Sequence, residues 1–118
     1  MHAVLRGFHS PDVEDLTHYY PNDLEQSSLY VEAFVGPDDG VGEERFGFTV
    51  CTPRWLAAQV TTHGARFGHS YILLDFYDYA LLKSALEGLC QRARGSTWRT
   101  VAAYIGRYGQ REWEGEGY

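Results

Sequence analysis

Two alternating apolar segments on either side of a glycine-rich turn constrain this chain more than any other feature. In LYVEAFVG (29–36), Leu29, Val31, Ala33 and Val35 fall on one face, and Tyr30, Glu32 and Phe34 fall on the other. GPDDGVG (36–42) follows, with three glycines and a proline. The stretch from about Glu43 to Cys51 then puts Phe46, Phe48 and Val50 on one face. Period-two patterning across a turn predicts a β-hairpin with one buried face. Such a hairpin must be covered by other elements, so the rest of the chain has to supply apolar faces to pack on it.

Residues 3–9 (AVLRGFH) predict a preceding strand. SPDVEDLTHYYP (10–21) predicts a short helix, with Ser10 as cap and Pro11 in the first turn. Thr52-Pro53 repeats this device and starts a helix over PRWLAAQV (53–60). HSYILLDFY (69–77) predicts an apolar strand, central in the sheet. Residues 78–94 carry Leu81, Leu82, Ala85, Leu86, Leu89, Cys90 and Ala93 at helical spacing, with Arg92, Arg94 and Gly95 at the end. A last helix, capped by Ser96 or Thr97, bears Trp98, Val101, Ala102, Ile105 and Tyr108 on one stripe. QREWE (110–114) predicts a final short strand, and the tail from about residue 115 is expected to be loose. The resulting order, β-α-β-β-α-β-α-α-β, favours an α+β fold. Its sheet is mostly antiparallel, its helices pack on one face, and residues 1–118 form a single compact domain. A length of 118 residues suits one domain with one core.

The charge is uneven. Residues 1–44 hold ten acids against one base, Arg6, a balance of −9, whereas residues 45–118 hold nine bases against six acids, a balance of +3. Nucleic acid is a poor partner for the acidic half, because its binding rests on neutralising phosphates. A basic protein surface suits it better. The absence of an apolar run near ~18 residues argues against a spanning helix. The N-terminal residues do not resemble a secretory signal. The expectation is a cytoplasmic protein that does not engage a membrane.

Candidate chemistry is sparse. Cys51 precedes an expected helix N-terminus, and His9, His18, His63 and His69 are available bases, but no spacing ties any of them to it. Cys51 and Cys90 read as small apolar residues. No His or Cys pair has metal-ligand spacing, and Asp38 and Asp39 lack the pattern of a calcium loop. Glu43 and Glu44 are adjacent and therefore point to opposite faces of a strand, so they form no acid–base dyad. No catalytic residue, cofactor or metal is assigned. Trp55, Trp98 and Trp113 read as core-edge residues able to anchor an interface.

Four stretches carry a family resemblance in register along nearly the whole chain: HSPDVEDL (9–16), VGPDDGVGEERFGFTVCTPRWL (35–56), LLDFYDYALLKSALEGLCQRARGSTWRTVA (73–102) and GRYGQREWE (106–114). Together they resemble the immunity protein 8 family, small bacterial proteins linked to polymorphic and contact-dependent toxin systems. QSSLYVEAFV (26–35) fits more loosely, where variation would tune a partner. The resemblance implies an inhibitor that binds a cognate toxin and protects the producing cell, and no enzyme is expected. It carries over no site residues, no oligomeric state and no toxin identity. The alternatives are a small cytoplasmic enzyme using Cys51 as nucleophile, or an oligomeric accessory domain without a toxin partner. The charge asymmetry supplies the candidate contacts: Asp12, Glu14, Asp15, Asp23 and Glu25 around the first expected helix, and Asp38, Asp39, Glu43 and Glu44 around the hairpin. These would meet a basic, nuclease-type toxin.

Overall fold

The structure, a computed structural model, describes residues 1–112. Trp113 and the tail expected to be loose lie outside the described residues. Strand β1 (Ala3–His9) leads through an irregular segment to β2 (Ser28–Pro37) and β3 (Glu44–Cys51). Helix α1 (Pro53–His63), strand β4 (Tyr71–Leu73), helices α2 (Tyr79–Arg92) and α3 (Trp98–Ile105) and strand β5 (Gln110–Arg111) complete the order. The sheet runs β1-β2-β3-β4, with β5 also paired to β3. Among the described residues only the β3–β4 pairing is parallel; the others are antiparallel. The expected α+β architecture is present.

The expected hairpin forms over almost the full predicted length, from Ser28 opposite Cys51 to Val35 opposite Glu44. Leu29, Val31, Ala33, Val35, Phe46, Phe48 and Val50 are all buried on its inner face. Strand β1 adds Ala3, Leu5 and Phe8 to the same core. Leu5 and Phe8 are three residues apart, which breaks simple alternation. A bulge resolves this: Leu5 pairs with Val35 and Gly7 with Phe34, leaving Arg6 as the extra residue.

Helices α2 and α3 close the core with Leu82, Leu86, Leu89, Cys90, Val101, Ala102 and Ile105. Helix α1 contributes no fully buried residue. Each helix has a side-chain cap on its third backbone N–H: Thr52 receives Trp55 N at 3.3 Å, Asp78 receives Leu81 N at 3.1 Å and Thr97 receives Thr100 N at 3.3 Å. Thr52 also accepts Ser27 N at 3.2 Å, so one buried hydroxyl joins the start of β2 to the start of α1.

Three local expectations are corrected. Residues 10–21 form no helix. Ser10 Oγ accepts the N–H of Asp12, and Asp15 Oδ1 accepts both the N–H and the hydroxyl of Thr17. These short side-chain bonds satisfy the backbone in turns and compete with a helical ladder. The Tyr77 hydroxyl donates to Leu16 O at 2.6 Å and fixes the segment over the core. The second correction concerns 69–77, where only Tyr71–Leu73 is strand, at the sheet edge. Its apolar residues are used differently: Leu74 is buried in a loop, and Tyr77 reaches across to Leu16. The third concerns helix faces, since Leu81, Ala85 and Tyr108 are exposed. The buried stripe of α2 is the narrower set at 82, 86, 89 and 90. Of the final strand expected over 110–114, Gln110–Arg111 pairs with β3.

Candidate functional site

The hairpin tip is the most organised exposed feature. Arg6, the bulged residue of β1, donates from one guanidinium nitrogen to Pro37 O at 2.6 Å and to Gly40 O at 2.8 Å. His2 N donates to Asp38 Oδ1 at 2.9 Å, and Asp38 N donates back to His2 O at 3.0 Å. The hydrogen bond from His2 N holds the Asp38 carboxyl below the usual carboxylate range. Gly42 adopts φ 98°, a left-handed conformation that favours glycine. Gly36 permits a close approach: a Cβ there would overlap the Gly42 carbonyl oxygen and lie 2.7 Å from Arg6 Nε. The loop is thus tied to β1 from both sides, and Val41 stands 97% exposed at its tip. Beside it, Pro37, Val41, Gly42, Glu43, Glu44 and Trp98 line a groove of about 410 Å³.

The nine candidate acids divide unequally. Among the described residues, the carboxylates of Asp39 and Glu43 make no hydrogen bond or ion pair, and both residues are exposed. Glu44 is only 8% exposed and accepts two bonds from Arg111, at 2.6 and 3.0 Å. It therefore works inside the fold, tying β5 to β3. Asp12, Glu14 and Asp15 are exposed on the turns after β1. The Thr17 hydroxyl, then His18, lower the Asp15 carboxyl to about 2. Asp23 accepts the N–H groups of Glu25 and Gln26, and Glu25 pairs with Arg54 at 2.7 Å. Asp23 and Glu25 precede β2, whereas Asp38, Asp39 and Glu43 follow it. A ten-residue strand spans about 30 Å, so the two groups occupy opposite ends of the sheet rather than one patch.

The outer face of the sheet holds residues that the acidic pattern did not single out. Glu32 Oε1 accepts from His9 Nε2 at 2.9 Å and lies 3.7 Å from Arg45. Arg45 also pairs with Glu112. Tyr30 leans over Gly47, where any Cβ would meet its hydroxyl. Burial, followed by the Glu32 charge, raises the Tyr30 phenol. Tyr30, Glu32, Arg45, Gly47 and Glu112 line, with Gln110 and Arg111, a polar cleft of about 290 Å³. The outward alternation of Tyr30, Glu32 and Phe34 was the available signal. Their lie in the segment that fits the family resemblance more loosely.

Cys51 is 2% exposed, and burial pushes its thiol up, partly opposed by Arg66. A nucleophile needs the opposite shift. His9 bonds Glu32, His18 bonds Asp15, His63 bonds Gln59 O, and His69 bonds Ser70 and Gly106 O. None of these contacts is to Cys51. No group of three or more His, Cys, Asp or Glu side chains suited to a metal ion occurs among the described residues. No helix among them is long and apolar enough to cross a membrane.

A buried thiol and a half-buried phenol predict the alkaline response. Burial pushes Cys90 up to about 11 and Tyr77 up to about 12. The unfolded chain releases these protons near the ordinary values of 9 and 10, so above about pH 9 it binds fewer protons than the folded chain. Stability should therefore fall as pH rises from about 9 to about 12. Denaturant midpoints across this range should fall less steeply for Cys90→Ala between pH 9 and 11. An unchanged slope would remove Cys90 as a cause.

The architecture is a small α+β domain with an exposed loop held by Arg6 and His2. A family model described as Immunity protein 8 matches residues 3–118. The chain belongs to the Immunity protein 8 family, and membership implies a toxin partner in general terms. No curated protein and no solved structure matches it.

Proposed function

We propose that this chain binds a cognate toxin domain directly and neutralises it by covering the active site or substrate path. The hairpin tip is the contact we favour. The observation that carries this reading is a loop braced by Arg6 and His2 that presents Asp39, Glu43 and Val41 outward. A loop already held in one conformation loses less entropy on binding. Carboxylates with no internal partner steer a basic surface and fix its register. The partner is accordingly a basic toxin domain of nuclease type, from a polymorphic or contact-dependent system, met in the cytoplasm. Asp12, Glu14 and Asp15 at the far end of the sheet form a secondary steering group; Asp23 and Glu25, already engaged by the backbone and Arg54, contribute less.

The experiment measures association of the purified toxin domain encoded beside this gene, at several salt concentrations. Asp39→Ser with Glu43→Gln should slow association by about threefold or more at low salt and flatten the salt dependence. Unchanged rate, affinity and salt dependence would assign these acids to solvation alone. An acidic toxin would overturn the electrostatic part outright.

A further inference from the structure

The groove between the hairpin tip and the first turn of α3 combines features that match one side chain. Pro37, Val41 and Trp98 supply apolar surface, while the exposed Glu43 supplies negative charge. Its lining holds no cation. Glu44 already receives Arg111, whereas the exposed Glu43 carboxylate makes no hydrogen bond or ion pair among the described residues. The Arg6 and His2 contacts keep the Val41 side of the groove in place.

We propose that this groove receives an arginine side chain of the partner toxin, an inference that rests on the toxin-binding reading above. A guanidinium is planar, so it can stack on the Trp98 indole and present its forked donors to the Glu43 carboxylate. Its methylene stem is apolar and suits Pro37 and Val41. A lysine ammonium brings the same charge but neither the flat face nor the fork. An anionic side chain would instead meet the Glu43 carboxylate, with no cation in the lining to receive it.

The probe is the capped peptide acetyl-Gly-Arg-Gly-amide, titrated into the nitrogen-15-labelled full chain and followed by amide and indole shifts. Saturable shifts are expected at the Trp98 indole N–H and at the Gly42 and Glu43 amides. Apparent affinity should fall about threefold or more when citrulline or lysine replaces arginine, and likewise in Glu43→Gln, whose change is at an exposed position. Trp98→Phe, which keeps an aromatic ring, should also bind more weakly. Absence of shifts at these residues overturns the proposal. So do equal responses to the citrulline or lysine peptide, or a Glu43→Gln chain that binds as well as the parent. A protection assay against the neighbouring toxin separates the two ideas. A silent groove in a protective chain removes only the arginine site; a responsive groove in a chain that neither binds nor protects removes the toxin reading.

Discussion

Replacing Phe48 with alanine is expected to lower unfolding free energy by about 3–5 kcal/mol, the range for a large aromatic side chain removed from a core. Phe48 is 1% exposed on the inner face of β3. Its ring also packs against the Gly109 backbone, where a Cβ would lie 2.7 Å from Phe48 Cε1. The side chain therefore joins the sheet to the segment after α3, and its removal leaves a cavity between elements distant in sequence. Domains of this size are stable by roughly 5–15 kcal/mol, so the loss takes a large fraction of the total. Denaturant unfolding of Phe48→Ala beside Phe67→Ala checks the result. Phe67 is almost fully exposed, and its truncation should stay within about 0.5 kcal/mol. A loss below about 1 kcal/mol at Phe48 would contradict its place in the core.

Gly36→Ala is expected to be the second largest change and to act on stability and recognition together. The added methyl group would overlap the Gly42 carbonyl oxygen, which is backbone and moves only if the loop moves. Crowding of this kind costs about 1–3 kcal/mol. It also separates Arg6 from Pro37 and Gly40, the two carbonyls that hold the tip. Amide exchange at residues 38–43 should accelerate, and toxin affinity should fall although Asp39 and Glu43 are intact. Arg6→Ala should reproduce the faster exchange with a smaller loss of stability, since Arg6 is exposed. Unchanged exchange in both variants would show that Arg6 and Gly36 do not brace the loop.

The parts of the fold that were legible are those in which one local rule acts alone. The hairpin was readable because Leu29, Val31, Ala33 and Val35 face Phe46, Phe48 and Val50 across a turn, and burial then follows from alternation. Thr52-Pro53 announced α1 because a hydroxyl cap and a fixed proline φ are both local. The same device failed at Ser10-Pro11, where Ser10 and Asp15 bond the backbone at short range and Tyr77 holds Leu16 from 61 residues away. The site was legible in part. Charge counting singled out Asp39 and Glu43, which are exposed and whose carboxylates make no hydrogen bond or ion pair among the described residues. It also drew in Glu44, because nothing local reveals that Arg111, 67 residues later, reaches it. The role of Arg6 was hidden for a related reason: a bulge, not the alternation, decides where that side chain goes. Trp98 enters the site only because α3 packs beside the hairpin.

The two margins of the sheet bear on how this chain meets other chains. On one side, β1 is interrupted by its bulge at exposed Arg6, and Ala3 N is already occupied by Ala93 O at 3.0 Å. On the other, β3 pairs at Phe46 and Gly47 with the two-residue β5 and at Thr49–Cys51 with the three-residue β4. Bulges and very short border strands are means by which sheets avoid templating a foreign strand. Sheet extension, whether by a partner peptide or by a second copy on the way to an aggregate, finds no long straight border among the described residues. Recognition is thereby directed to loops and faces, and pairing of copies edge to edge is disfavoured.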